Sequence, residues 1–563
     1  MNKLLVTLML AIIILIAAVT RFYKLGEVPA GLYIDEAGQG YSAYSILLTG
    51  KDEFGMPYPA VFRSFTDFKT PVYIYLVAPL IPYFDLTPFT VRFPSFFFSI
   101  LTIPVLFLLI RKITQEKVSL HLAWVSCFLL AISPWHILFG RTNFECNVAL
   151  FFLISGIYTF YLGLKKPAFL ILSCVLFAIA VPAYHSQRII TPLVVILLTL
   201  RNKNILFSKS YKKWVIVGVV SGIILTLPTL SVINTPGFLA RASGLNIFSD
   251  SRVSAGYLEN YSGFLAWLIN SKWFLSIQEF LSLYFSYLSP RNMFVLGDYG
   301  PRSSFPELAT YYIWQFPFYV YGLYILLKNK FGELKFLTLA LLFIAPIPAA
   351  VTRDPYSTIR ALPLVVPQII IISIGIVFFV KYVHSLFVNH KIRKFFLPIS
   401  TLVSLLVIIY SIGKLYSSAI LLNEYFRAAE WDWGLKQVVE TIKTFDSSTP
   451  IIVDNSREEA YIELAFFLKY DPSIYQKENN NLDLKNYYTD MNHNKLIRLG
   501  NITTRPIDWE KDLQIEQYLI GDGLAISEQQ IERHNLEVIR EIKYPNKSVS
   551  FRIVKVPPPK LQF

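Results

Sequence analysis

The sequence predicts a polytopic α-helical membrane protein that ends in a small soluble α/β domain. Of its 563 residues, 54% are hydrophobic and only 16% are charged, whereas soluble domains carry about 25% charged residues. Apolar runs of about 17 to 22 residues recur as far as residue 417. Each is long enough to cross a hydrocarbon core of about 30 Å at about 1.5 Å per helical residue. Beyond residue 421 the runs stop and shorter, mixed patterns begin.

Crossings are expected near 4–20, 93–110, 118–138, 147–164, 167–183, 188–200, 213–232, 312–328, 335–351, 361–381 and 395–417, about eleven in all. The first, "LLVTLMLAIIILIAAV", follows Lys3 and lacks a small-x-small cleavage site, so it is expected to be an uncleaved signal anchor. Basic clusters at 111–117, 164–166, 201–213, 328–335 and 381–394 fall between these runs. The positive-inside rule puts them, with the N-terminus, in the cytoplasm and the C-terminal domain outside the plasma membrane. These clusters account for much of the net charge of +14, so the basic excess is no sign of nucleic-acid binding. The proline-broken run 70–84 would reverse the downstream order if it crossed. It is therefore read as an interfacial or re-entrant helix on the outer face.

This topology divides the chain into a transmembrane domain, 1–421, with a first outer loop at 21–92 and a long outer loop at 233–311, and an extracytoplasmic domain, 422–563. In the tail, "AAEWDWGLKQVVETIKTF" and "REEAYIELAFFLKY" have helical periodicity, while "TPIIVDN", "QYLIGDG" and "VSFRIVKV" read as strands. The tail contains no phosphate loop or nucleophile motif. It is expected to pack or support the rest, with acceptor recognition as the rival role.

The inner connectors are short and basic, so chemistry is expected on the outer face. Its most conspicuous feature is the acidic dipeptide Asp35-Glu36 in "YIDEAGQGYSAYSILLTGKDEFG", followed by a second, Asp52-Glu53. A carboxylate here can cap a helix. In a half-desolvated cavity it can also act as a general base. Lys69, Arg141, Arg188, Arg241, Arg302, Arg353 and Arg360 lie in outer turns or at membrane edges. Cations beside an acidic pair above an apolar bundle suit a phosphate-bearing lipid, its tail among the helices and its phosphate among Arg and Lys. Arg141 and Glu145, four apart, can instead pair on a helix. His136 and His185 form no tight ligand cluster, so no metal site is assigned, and a divalent cation is not indicated. Cys127, Cys146 and Cys174 lie in or beside apolar runs and read as ordinary buried thiols.

The segment "VPAGLYIDEAGQGYSAYSILLTGKDEFGMPYP" after the first helix resembles the opening of the bacterial members of glycosyltransferase family 39. These are relatives of the protein O-mannosyltransferases and aminoarabinose lipid A transferases within the C-type superfamily. The likeness continues through "KTPVYIYL", "FTVRFPS", "GRTNFECNVAL", "AYHSQRIITPL", "YLSPRNMFVLGD" and "PIPAAVTRDPYSTIRALPLVVP", over roughly residues 20–380. It implies a C-type glycosyltransferase fold and transfer of a sugar, mannose at the family level, from a polyprenyl-phosphate donor at the outer face. The acceptor, a protein, lipid or glycan, stays unassigned, and no cofactor is implied.

By the same resemblance the base corresponds to Asp35, with Glu36 beside it, and the donor-phosphate ligands to Lys69, Arg141, Arg188 and Arg360. Glu145, in place of the aspartate expected from some relatives, Tyr184 and His185 complete the candidates. A lipid-linked sugar transporter or flippase would show internal repeats and mid-membrane charges. A polysaccharide polymerase or ligase would not need the Asp-Glu motif.

Overall fold

The computed structural model describes the chain except residues 1–2, 66, 115, 239–246, 248–262, 265–267, 269–270, 353, 388–392, 458, 480–481, 491–495 and 558–563. Arg241 and Arg353 lie outside the described residues. The chain divides into two compact units. One comprises residues 1–23, 95–233 and 239–419, and the other residues 24–94, 234–238 and 420–563.

The expected crossings fall on helices, beginning with α1 (Lys3–Phe22), but 118–138 is two pieces, Glu116–Ala131 and Pro134–Phe139, and 335–351 is Glu333–Ile344 followed by Ile347–Ala350. Among the described residues, seven helical stretches are long and apolar enough to span a membrane: Leu4–Phe22, Pro88–Ile113, Cys146–Gly163, Lys209–Leu230, Glu333–Ala350, Leu362–Leu386 and Pro398–Phe426. Val118–Ala131 and Phe169–Ala183 are shorter apolar helices. The protein is a multi-pass membrane protein. On Lys209–Leu230, Ile216, Ile223, Ile224 and Leu227 leave half or more of their surface uncovered by protein, as lipid-facing positions do. Elsewhere in this unit, backbones touch. A Cβ on Gly322 would lie 1.9 Å from the Ile371 carbonyl oxygen, and one on Gly375 would lie 1.9 Å from that of Phe318. Helices Phe316–Lys328 and Val365–Phe387 therefore cross at a spacing that only glycine permits.

The second unit is built on a six-stranded mixed sheet. Its strands are β3 (Ile451–Val453), β4 (Ile497–Leu499), β5 (Ile502–Thr504), β6 (Gln517–Gly521), β7 (Glu537–Lys543) and β8 (Val549–Val556), in the order β4-β5-β3-β6-β8-β7. The central strand β3 is parallel to both β5 and β6, while the other pairings are antiparallel. Ile452, Leu519, Ile526, Leu536, Val554 and Val556 form a buried apolar cluster on this sheet. Against tail helix Tyr461–Leu468 packs α2 (Ile34–Thr49) from the segment that follows α1. A Cβ on Gly40 would come within 2.5 Å of the Phe466 ring. The same segment also supplies the hairpin β1 (Phe62–Ser64) and β2 (Asp67–Lys69). Run 70–84 is broken into Pro71–Val77, a 3-10 turn Ala78–Leu80 and Ile81–Phe84, with Pro79 and Pro82 each removing a backbone donor.

The expected helix over 428–445 is two pieces, Ala429–Trp431 and Leu435–Ile442. Between them Asp432 and Gly434 take positive φ, 52° and 110°, which no helix accommodates.

Candidate functional site

Both carboxylates of the first acidic dipeptide lie on the opening turn of α2. Gly31, at φ +102°, turns the chain, Tyr33 is extended, and the helix begins at Ile34. Gly50 closes it in the left-handed conformation, its N–H donating to the Ile46 carbonyl. Acidic residues suit the first turn because the helix dipole is positive there.

The two side chains meet different surroundings. Asp35 Oδ1 lies 2.8 Å from Lys69 Nζ, with the Asp35 side chain 22% exposed and that of Lys69 7% exposed. Lys69 ends β2, in register with Phe62, so the short hairpin fixes the ammonium, and Asp67 Oδ2 stands 4.0 Å from it. Glu36 is sealed. Arg92 Nε donates to its Oε1 at 3.0 Å and Arg92 Nη2 to its Oε2 at 2.7 Å, both side chains being fully buried. The same guanidinium donates to the carbonyls of Leu25, Pro29 and Gly31 and lies over the Trp431 ring, 5.7 Å from its centroid. A bidentate partner and three carbonyls offset the desolvation of a buried ion pair.

Backbone capping of α2 comes from the tail. Tyr33, the residue at the N-cap, makes no side-chain capping bond, whereas Asp432 Oδ2 accepts from the Ile34 N–H at 2.9 Å. Gly31 is packed so closely that a Cβ there would fall 1.9 Å from the Trp431 carbonyl oxygen.

The remaining sequence-selected residues belong to the helical unit. Arg141 is buried, and its Nη1 donates to the carbonyls of Thr20 and Arg21, both at 3.1 Å. It thus closes the C-terminal end of α1, where carbonyls lack helical partners. Arg360 Nη1 donates to Thr352 Oγ1 at 2.8 Å and pairs with Asp354. Arg188 is half-buried in the first turn of Gln187–Arg201, and Glu145 precedes Cys146–Gly163. Tyr184 is buried, its ring edge-on to that of His185. Among the described residues no three His, Cys, Asp or Glu side chains are grouped to hold a metal.

Sequence reasoning passed over Arg92, Asp432, Arg21 and Asp298. Arg92 had a signal: it is the one charge between Asp85 and Arg111 in an apolar stretch, and such residues need a partner. Arg21, also buried, donates to the carbonyls of Ala17, Leu130 and Ala131 and meets His136 Nδ1 at 2.8 Å. Asp298 accepts from the N–H and hydroxyl of Thr358, both at 2.7 Å, and from the Gly300 N–H. It thereby fixes the turn that carries Arg360, and burial raises its pKa.

The chain is similar over 99% of its length, and 99% of the other's, to ArnT from Cupriavidus metallidurans bound to undecaprenyl phosphate, with 12% identity and a TM-score of 0.54. It is also similar to the archaeal oligosaccharyltransferase AglB from Archaeoglobus fulgidus in complex with an inhibitory peptide and a dolichol-phosphate. There the identity is 12% and the TM-score 0.48, across all of this chain and 75% of AglB. No family model and no curated protein sequence matches. The fold is that of the C-type glycosyltransferases.

Proposed function

We propose that this protein is an integral-membrane glycosyltransferase that moves a sugar from a polyprenyl-phosphate donor to an acceptor hydroxyl at the outer membrane face, with Asp35 as the general base. One observation carries the choice of base. Of the two adjacent carboxylates, Glu36 is fully buried with both oxygens on Arg92, while Asp35 is partly exposed and steadied from one side by Lys69. A base must reach the proton that it removes, which favours the partly exposed Asp35 over the sealed Glu36. The fold shared with ArnT, itself solved with undecaprenyl phosphate, supports the donor class.

In this reaction the acceptor oxygen attacks the anomeric carbon, and its proton passes to Asp35. The bond from that carbon to the phosphate oxygen breaks, the configuration inverts, and polyprenyl phosphate departs. Lys69 holds Asp35 in line and adds positive charge beside the reacting centre. Arg188 and Arg360 are candidate phosphate ligands on the family resemblance alone, while Arg141 holds the end of α1.

The test follows release of polyprenyl phosphate from a labelled polyprenyl-phosphate sugar in purified membranes supplied with cell-envelope acceptors. Asp35→Asn should lower turnover by about a hundredfold or more, within the range for losing a general base, with donor binding retained. Equal turnover in Asp35→Asn and wild type would remove Asp35 from the chemistry. Movement of the intact donor across the bilayer without its cleavage would replace transfer by transport.

A further inference from the structure

We infer that Asp432, in the C-terminal tail, is a positioning residue for Asp35; this deepens the glycosyl-transfer reading and rests on it. The first N–H groups of a helix have no partners within it, and the Tyr33 side chain provides none for α2. The Asp432 carboxylate supplies one, 2.9 Å from the N–H of Ile34, the residue directly before Asp35.

The cap is rigidly mounted. Trp431 is fully buried and Asp432 is held at φ 52°. The Trp433 indole N–H donates to the Lys543 carbonyl on β7, and the Ser550 hydroxyl on β8 donates to the Trp433 carbonyl. The Trp431 carbonyl packs on Gly31, and Arg92, which grips Glu36, lies over the Trp431 ring. Sheet, turn and helix end thus form a continuous chain of contacts that terminates beside Asp35. Catalytic groups depend on placement to within about 1 Å, and remote changes that shift them cost about a hundredfold. If the first turn of α2 frays, the Asp35 carboxylate loses its fixed direction while Lys69, on its own hairpin, stays.

Asp432→Ala and Asp432→Gly both remove the cap, and glycine also relieves the positive φ. Both should lower kcat for the labelled polyprenyl-phosphate sugar at least about tenfold with the donor KM within about twofold. Asp432→Asn, whose amide oxygen still accepts the Ile34 N–H, should restore kcat to within about threefold of wild type. Hydrogen exchange in the full-length protein should quicken over residues 32–40 in the first two variants and not in Asp432→Asn. Unchanged exchange in Asp432→Gly would overturn the cap, and wild-type kcat in that variant would overturn the positioning role. An Asp432→Asn protein as impaired as Asp432→Ala would also overturn it, since charge rather than capping would then matter. Exchange is read without donor, so a wild-type protein that cleaves no donor would sink the transfer reading separately from the cap.

Discussion

The segment between α1 and residue 92 contains the same dipeptide twice, and the two copies are treated in opposite ways. At Asp35-Glu36 each carboxylate has a cation: Lys69 for the first and Arg92 for the second. At Asp52-Glu53 both are buried and the first is satisfied by neutral donors, the N–H groups of Phe54 and Met56 and the Tyr487 hydroxyl. Glu53 Oε2 has no hydrogen-bond partner among the described residues. Burial accordingly pushes Asp52 up to about 7 against those donors. Glu53 is raised well above the usual range by burial and by the Asp52 charge, with Arg63 opposing. A carboxyl group's chemistry is thus assigned by what faces it, not by its neighbour in sequence.

Removing the cation from the sealed pair should have the largest effect on stability. Arg92→Leu strands Glu36 in a buried site and should cost about 3–5 kcal/mol, read from denaturant unfolding of the solubilised protein. The double change Glu36→Leu with Arg92→Leu should recover much of that loss; a purely additive double variant would show that the pair is not coupled.

The second dipeptide should reveal itself through pH. Asp52 binds its proton more tightly in the folded state than in the unfolded chain, whose value is about 3.9. Its contribution is therefore complete below about pH 4, declines as the pH rises, and is gone above about 7. Asp52→Asn, which keeps an acceptor for the two backbone N–H groups, should remove a slope on the order of a few kcal/mol over that window. An unaltered slope would place the titration elsewhere.

Lys69→Met should have the smallest effect on stability, below about 1 kcal/mol, because Asp35 is partly open to solvent. Turnover should fall further than stability does. A large stability loss would mean that Asp35, like Glu36, is a structural group.

The sequence determined the long apolar helices, because the free energy of placing an apolar run in lipid is a sum over residues within that run. It also marked β3, β6 and β8 by their apolar runs, and located the acidic dipeptide just after α1. The edge strands were less legible: β4 and β5 have three residues each, and β7 exposes all but one of its side chains. Only the tertiary structure separated Asp35 from Glu36, because Arg92 reaches Glu36 across 56 positions. Only the tertiary structure could join Asp432 to Ile34, 398 residues apart. Composition divides the chain after residue 421, whereas packing places residues 24–94 in one unit with 420–563. Hydropathy is a property of neighbours along the chain, while the partner of a buried charge is chosen in space.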